Sequence, residues 1–259
     1  MDNGCHFHAG NNKKLEITMI KRCIICCLMM FAMLSIMAKT DELVWYDGEN
    51  GVAYNVLTDV EPVVKVALSM FSDDMSAVTG RKAVHTNNAV LMIVELDKAS
   101  EKLRKKLARK NVPVDEVMSS YDGFNISVYD GNVFIVGKNG RGTAYGILEM
   151  SRMAGVSPWI WWGDVVPERK SCLTINRNTS VTLGASVEYR GIFINDEDWS
   201  IRPWSEKGEK GLIGRDTYKK VFQLLMRLRA NAVWPAMHEG TVSFFKTPGA
   251  KEVADSCGI

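Results

Sequence analysis

The sharpest chemical feature of the chain is Asn195-Asp196-Glu197-Asp198-Trp199, directly after the apolar run Val187–Ile194. Three acids and an amide on one turn repel each other unless a cation or hydrogen-bond donors meet them. Glycoside hydrolysis uses a pair of carboxyl groups, and neighbouring acids and amides orient the sugar hydroxyls. A solvated acidic turn accounts for the same spacing equally well, because acids gather on loops. A hard cation such as calcium is a third option, although the run does not match an EF-hand loop. The second feature is Trp234-Pro235-Ala236-Met237-His238-Glu239, which closes another short apolar run. Its indole, imidazole and carboxylate can stack a sugar ring and bind its hydroxyls or carboxylate. A lone histidine is more often structural than catalytic, so His238 gains weight only from sharing a rim with Asp196.

Two further groups invite chemistry and are better explained by structure. Trp159, Trp161 and Trp162 offer a sugar-stacking surface, yet aromatics more often serve burial, and an apolar plug between two domains is favoured. Gly137-Lys-Asn-Gly140-Arg-Gly142-Thr143 lies between a strand and a helix. Its spacing fits neither the dinucleotide fingerprint nor a P-loop, and a tight strand-to-helix turn is favoured.

The elements that must position these residues follow from periodicity. Leu43–Tyr46 and Val52–Leu57 read as short strands. Pro62 suits a first helical position, Val63, Val66, Ala67, Met70 and Phe71 share one face, and Gly80 stops the helix. Ala89–Leu96 reads as a strand and 98–110 as a basic, solvated helix. Phe124, Ile126 and Val128 alternate with polar neighbours, Asp130-Gly131 makes a tight turn, and Val133–Val136 returns as the partner strand. A helix follows Gly142 and ends near Gly155. These elements make a compact α/β sandwich domain over 39–180, with 171–185 read as a connecting segment. Val187–Ile194 then reads as a buried strand, followed by a glycine-rich loop. Arg215–Ala230 reads as an amphipathic helix with Tyr218, Val221, Phe222, Leu225 and Leu228 on one face, and Ala232–Trp234 as a strand. That βαβ order implies parallel strands and reads as the start of a (β/α)8 TIM barrel over 181–259, where strand ends carry the site.

At the N-terminus, Lys21-Arg22 precedes the apolar stretch Cys23–Met37, then Ala38 and polar residues. This matches a secretory signal peptide over 1–38, cleaved near Ala38, for a secreted or periplasmic protein. A membrane span would need about twenty apolar residues. Residues 1–18 suggest an over-extended start, with Met19 the better one. Without 1–38 the chain carries 28 basic and 28 acidic residues, so no charge excess points to nucleic acid or an anionic membrane. Only His85, His238, Cys172 and Cys257 remain of the soft ligands. No cofactor and no metal are therefore expected; a Cys172–Cys257 pairing and the oligomeric state stay open.

Gly140-Arg-Gly-Thr-Ala-Tyr-Gly146, Ser151-Arg-Met-Ala-Gly-Val-Ser-Pro-Trp159, Tyr189-Arg-Gly-Ile-Phe-Ile-Asn-Asp-Glu197 and Asn231-Ala-Val-Trp-Pro-Ala-Met237 resemble glycoside hydrolase family 115. That family contains xylan α-(4-O-methyl)-glucuronidases. The resemblance covers roughly residues 40–259 and is most specific in its second half. It implies an N-terminal α/β domain, then a catalytic barrel, then further domains. It also implies an inverting removal of (4-O-methyl)-glucuronic acid from xylan, with glucuronoxylan as the substrate partner. By the same resemblance Asn195 and Asp196 lie in the active site, Asp196 in a supporting catalytic role, and Trp234 lines the uronic-acid pocket. Glu197, His238 and Glu239 are further substrate-binding candidates. The main acid and base are expected on later strands, beyond Ile259, which makes this chain an incomplete and inactive piece. Asp198-Trp199 and His238-Glu239 depart from some members' loops, which bears on substrate preference. A β-hexosaminidase-like barrel glycosidase and a non-catalytic glycan-binding module are the alternatives.

Overall fold

The computed structural model describes residues 41–259, apart from 111, 198–199, 210–212, 236 and 239–240. The leader, Asp198, Trp199 and Glu239 thus lie outside the described residues.

The chain enters through strand β1, Glu42–Tyr46, and strand β2, Ala53–Val56. Helix α1, Pro62–Thr79, begins at a proline whose missing N–H is not needed in the first turn. It ends where Gly80 takes φ 84°, in the left-handed region. Strands β3, Val84–His85, and β4, Leu91–Glu95, precede helices α2, Glu101–Arg109, and α3, Val114–Ser119. Helix α2 is highly charged and contributes Leu107 to the interior. The hairpin β5, Tyr121–Tyr129, and β6, Asn132–Gly137, turns at Asp130 and Gly131, both with positive φ (52° and 74°). That pair of left-handed residues matches the twist of the strands it joins.

Helix α4, Gly140–Met153, is capped by Asn139, whose side chain accepts from the Gly142 N–H at 2.9 Å. The preceding turn is as tight as expected. A Cβ on Gly137 would sit 2.1 Å from the Thr143 backbone nitrogen.

Residues 171–185, expected as a connector, instead form β7, Leu173–Asn176, and β8, Ser180–Ala185. Strand β7 pairs antiparallel with β1, which therefore stands outside the main sheet. Strand β8 pairs with β5 and edges a six-stranded mixed sheet of order β3-β2-β4-β6-β5-β8. The threonine, serine and asparagine content that suggested a loop is what an exposed edge strand tolerates. Strand alternation sorts the core into two faces. Leu91, Ile93, Val133 and Ile135 join α1 and α4 in the larger cluster, while Val94, Phe134 and Val136 meet Leu107 and Val117 on the other. Helices thus cover both faces of the sheet.

Strand β9, Gly191–Phe193, helix α5, Ile201–Glu209, helix α6, Arg215–Arg227, and strand β10, Ala232–Trp234, form the second region, followed by α7, Ala250–Cys257. The parallel pairing expected of a βαβ unit is present, with Gly191 opposite Ala232 and Phe193 opposite Trp234. Three expectations change. The segment expected as a glycine-rich loop contains α5. The strand expected over Val187–Ile194 and buried is short and exposed, with only Ile194 of its end buried. Among the described residues the ribbon has two strands, and its exposed β9 side chains meet no packed helix or second sheet, so apolarity alone does not bury them. Helix α6 buries Tyr218, Val221, Phe222 and Leu225 as expected, but it ends at Arg227 and leaves Leu228 46% exposed. No closed barrel is formed among the described residues.

Candidate active site at the β9 and β10 strand ends

Strands β9 and β10 are started by one buried polar cluster. Arg190 and Asn231 each stand one residue before a strand. The Asn231 side chain accepts from the Arg190 N–H at 2.9 Å, and the Arg190 carbonyl accepts from the Asn231 N–H at 2.8 Å. Both side chains then reach Asp122, at the start of β5: Arg190 Nη2 donates to Oδ2 at 2.6 Å and Asn231 Nδ2 at 3.2 Å. Arg141 Nε and Asn139 Nδ2, from α4 and its cap, each donate to Asp122 Oδ1 at 3.0 Å. Burial pushes the Asp122 carboxyl up, yet the Arg190, Asn139 and Arg141 interactions outweigh it and hold its pKa below the ordinary value. Nearby, Tyr145 donates to the Ala230 carbonyl at 3.0 Å, and burial first of all pushes its pKa up to about 12. Arg229 bridges to Glu149 at 2.8 Å and Arg227 grips Asp74 through two bonds of 2.8 Å. The register that delivers the strand ends is thus set from their starts.

At the other end of β9, Asp196 of the acidic turn is buried, 3% exposed. Its Oδ2 accepts from the His238 N–H at 2.8 Å and from the Thr241 hydroxyl. Burial would raise its pKa, but the Thr241 hydroxyl and the backbone N–H groups of His238, Asp196 and Met237 together hold it below the usual carboxylate range. A carboxylate with these donors stays charged and stationary, suited to fixing a loop or orienting a ligand and unsuited to proton exchange at neutral pH. Asn195 is exposed, and its Oδ1 accepts from the Glu197 N–H at 3.1 Å. Glu197 is half-buried, with Oε1 4.0 Å from His238 Nε2. Trp234 is 64% exposed and meets Phe193 edge-on with ring centroids 6.3 Å apart.

The structure therefore brings Asp196, Glu197 and His238 together, with Asn195 on the same turn and Trp234 four residues before His238. Thr241 was not anticipated; a hydroxyl three residues past His238 carries no spacing rule that would single it out. Among the described residues, no group of three or more histidine, cysteine, aspartate or glutamate side chains is placed to hold a metal ion. Cys172 and Cys257 are both free thiols, the first exposed and the second buried. Burial pushes the Cys257 thiol up to about 11. Trp162 and Trp161 pack against Trp204 of α5, with centroids 4.6 and 4.5 Å away, while Trp159 and Trp161 stay 49% and 39% exposed, so the expected plug is packed on one side and open on the other.

The family model described as glycosyl hydrolase family 115 matches residues 184–259, which include β9, the acidic turn and β10. Among solved structures, the chain is similar to the 4-O-methyl-alpha-glucuronidase BtGH115A, a family 115 enzyme "with specificity for decorated arabinogalactans", at 39% identity and TM-score 0.73. The match covers 82% of this chain and 28% of that one, so this chain spans little more than a quarter of the relative's length. CpGH84D is similar at 15% identity and TM-score 0.46, over 73% of this chain and 28% of its own. An exo beta-N-acetylglucosaminidase of family 20 from Vibrio harveyi is similar at 10% identity and TM-score 0.44, over 74% and 22%. No curated protein matches the chain. On the family match across both strand ends and the 39% identity over most of the chain, the protein belongs to glycoside hydrolase family 115.

Proposed function

We propose that this chain supplies the first strand ends of a glycoside hydrolase that removes (4-O-methyl)-glucuronic acid side chains from a plant polysaccharide, with inversion. The observation that carries the reading is the buried, charged Asp196 at the end of β9, on a segment that matches the family model. In this reading Asp196 orients the sugar or the attacking water, Trp234 stacks on the uronic acid, and Asn195, Glu197, His238 and Glu239 bind its hydroxyls or carboxylate. The main acid and base stand on strands beyond those of this chain. The parallel β9–β10 pair opens a (β/α)8 barrel over 181–259, the α/β domain occupies 39–180, and a secretory leader occupies 1–38. Glucuronoxylan is the substrate implied by the sequence resemblance. Decorated arabinogalactan is the second reading, favoured by the specificity of the 39% identical relative.

The test is a chimera in which residues 42–259 replace the equivalent segment of that relative. The chain alone should release no uronic acid from either polysaccharide, because acid and base must flank the scissile bond. The chimera should release it, and the preferred polysaccharide decides between the two substrates. In the chimera, Asp196→Asn should lower turnover at least about a hundredfold, roughly 2.7 kcal/mol of transition-state stabilisation. A folded chimera with near-normal turnover after that substitution would leave Asp196 a structural acid only.

A further inference from the structure

The tryptophan segment borders a cavity of about 250 Å³ in the helix layer, between α1, residues 158–162 and α6. Trp161 and Trp162 line it together with Met70 and Asp73 of α1 and Lys220 and Gln223 of α6. The indoles are held in place: Trp204 packs against both, and Trp162 Nε1 donates to the Lys220 carbonyl at 3.3 Å. Trp161 nevertheless remains 39% exposed, with the Lys220 ammonium 5.2 Å from its ring centroid.

The charges along this cavity balance. Asp74 is taken up by Arg227 through two 2.8 Å bonds and Asp73 lies 3.9 Å from Lys82, while the lining side chains themselves, Asp73 and Asp74 against Lys220 and Arg227, carry no net charge. A uronate would meet no net attraction here. A neutral pyranose suits the lining better. Its C–H face packs on an exposed indole, and its hydroxyls donate to a carboxylate and accept from an ammonium or a carboxamide. The volume falls below the roughly 300–1,000 Å³ of drug-sized pockets, so it suits one sugar ring and not a longer stretch.

We propose that this cavity is a second carbohydrate subsite, holding one neutral pyranosyl residue of a polysaccharide backbone apart from the strand ends that meet the uronic acid. The proposal takes its substrate class from the function proposed above, but it requires only binding, not hydrolysis. Burial, the largest influence on Lys220, lowers its pKa, in keeping with an ammonium partly withdrawn from water.

The test is intrinsic fluorescence and calorimetric titration of the whole chain with xylohexaose, a neutral β-galacto-oligosaccharide and free glucuronic acid. At least one neutral oligosaccharide should bind and change the tryptophan emission. Trp161→Ala and Lys220→Met should each weaken that binding at least tenfold. Lys220→Met keeps the helix face and guards against a Trp161→Ala protein that simply unfolds. The proposal is overturned if neither neutral oligosaccharide binds, or if binding survives both cavity substitutions. Binding as expected beside an inactive chimera would instead fault the proposed hydrolase and leave this subsite standing.

Discussion

Asp196 Oδ2 is held by two donors, and that changes what its substitution should do. As an isolated acid on a rim it would contribute little to folding. Buried, and accepting from Thr241 and the His238 N–H, it ties the β9 loop to the β10 loop. Asp196→Asn keeps the volume and loses one charged acceptor, which should cost about 1–2 kcal/mol. The melting temperature of the chain should fall by about 2–8 °C, and an unchanged melt would refute the clamp. The same chemistry sets a pH dependence. Asp122, Glu149 and Asp196 all have carboxyl pKa values below the ordinary ones in the folded protein. Each contributes stability that is complete above the unfolded value of about 4 and is lost as pH falls through the lower folded value. Melting curves should therefore be flat from pH 7 to about 5 and drop steeply below about 4. A flat profile down to pH 3 would count against all three assignments.

At the scale of elements, the link between the six-stranded sheet and the β9–β10 ribbon includes a buried charge cluster beside the apolar packing. Asp122 lies in the sheet domain, yet it holds the residues that precede both ribbon strands. Removing it leaves the Arg190 guanidinium, which is largely buried, and Arg141 without their carboxylate. Breaking a buried pair from one side costs about 3–5 kcal/mol. Asp122→Ala should therefore destabilise the chain by about that amount in urea titration. Hydrogen exchange should quicken first at Ile194 and Ala232, whose N–H groups bond across the ribbon and its start. A loss below about 1 kcal/mol would show the hub to be dispensable.

At the scale of the whole molecule, residues 42–259 form one compact unit. Among the described residues no helix is long and apolar enough to cross a membrane. The leader expected over 1–38 bears on where the chain acts. On the export reading proposed above, the basic pair, the apolar core of about fifteen residues and the small residue at its exit mark a leader to be removed. Mass spectrometry of the protein recovered from its native host should find a mature N-terminus near Lys39. Intact residues 1–38 on a cytosolic product would end that reading.

The hairpin at Asp130-Gly131, the helix from Pro62 to Gly80 and the parallel pairing of the two short strands were legible in the sequence. Each depends on neighbours a few residues apart or on a βαβ order that leaves one sensible pairing. The acidic turn was visible as a cluster of side chains, and the motifs around Arg190 and Asn231 were visible as strings without a stated role. What local pattern did not contain was partnership at a distance. No periodicity joins Asp122 to Arg190 and Asn231, 68 and 109 residues on. None tells that Asp196 is buried while Glu197 beside it stays half-exposed; Asp196 meets donors from His238 and Thr241, more than forty residues on. Strand β8 was missed for the same reason, because an exposed edge strand earns its place through backbone pairing with β5 and needs few apolar side chains. Composition and spacing determined the local elements and the inventory of reactive groups; the tertiary structure alone decided which polar groups meet, since buried charges are placed by the partners that satisfy them.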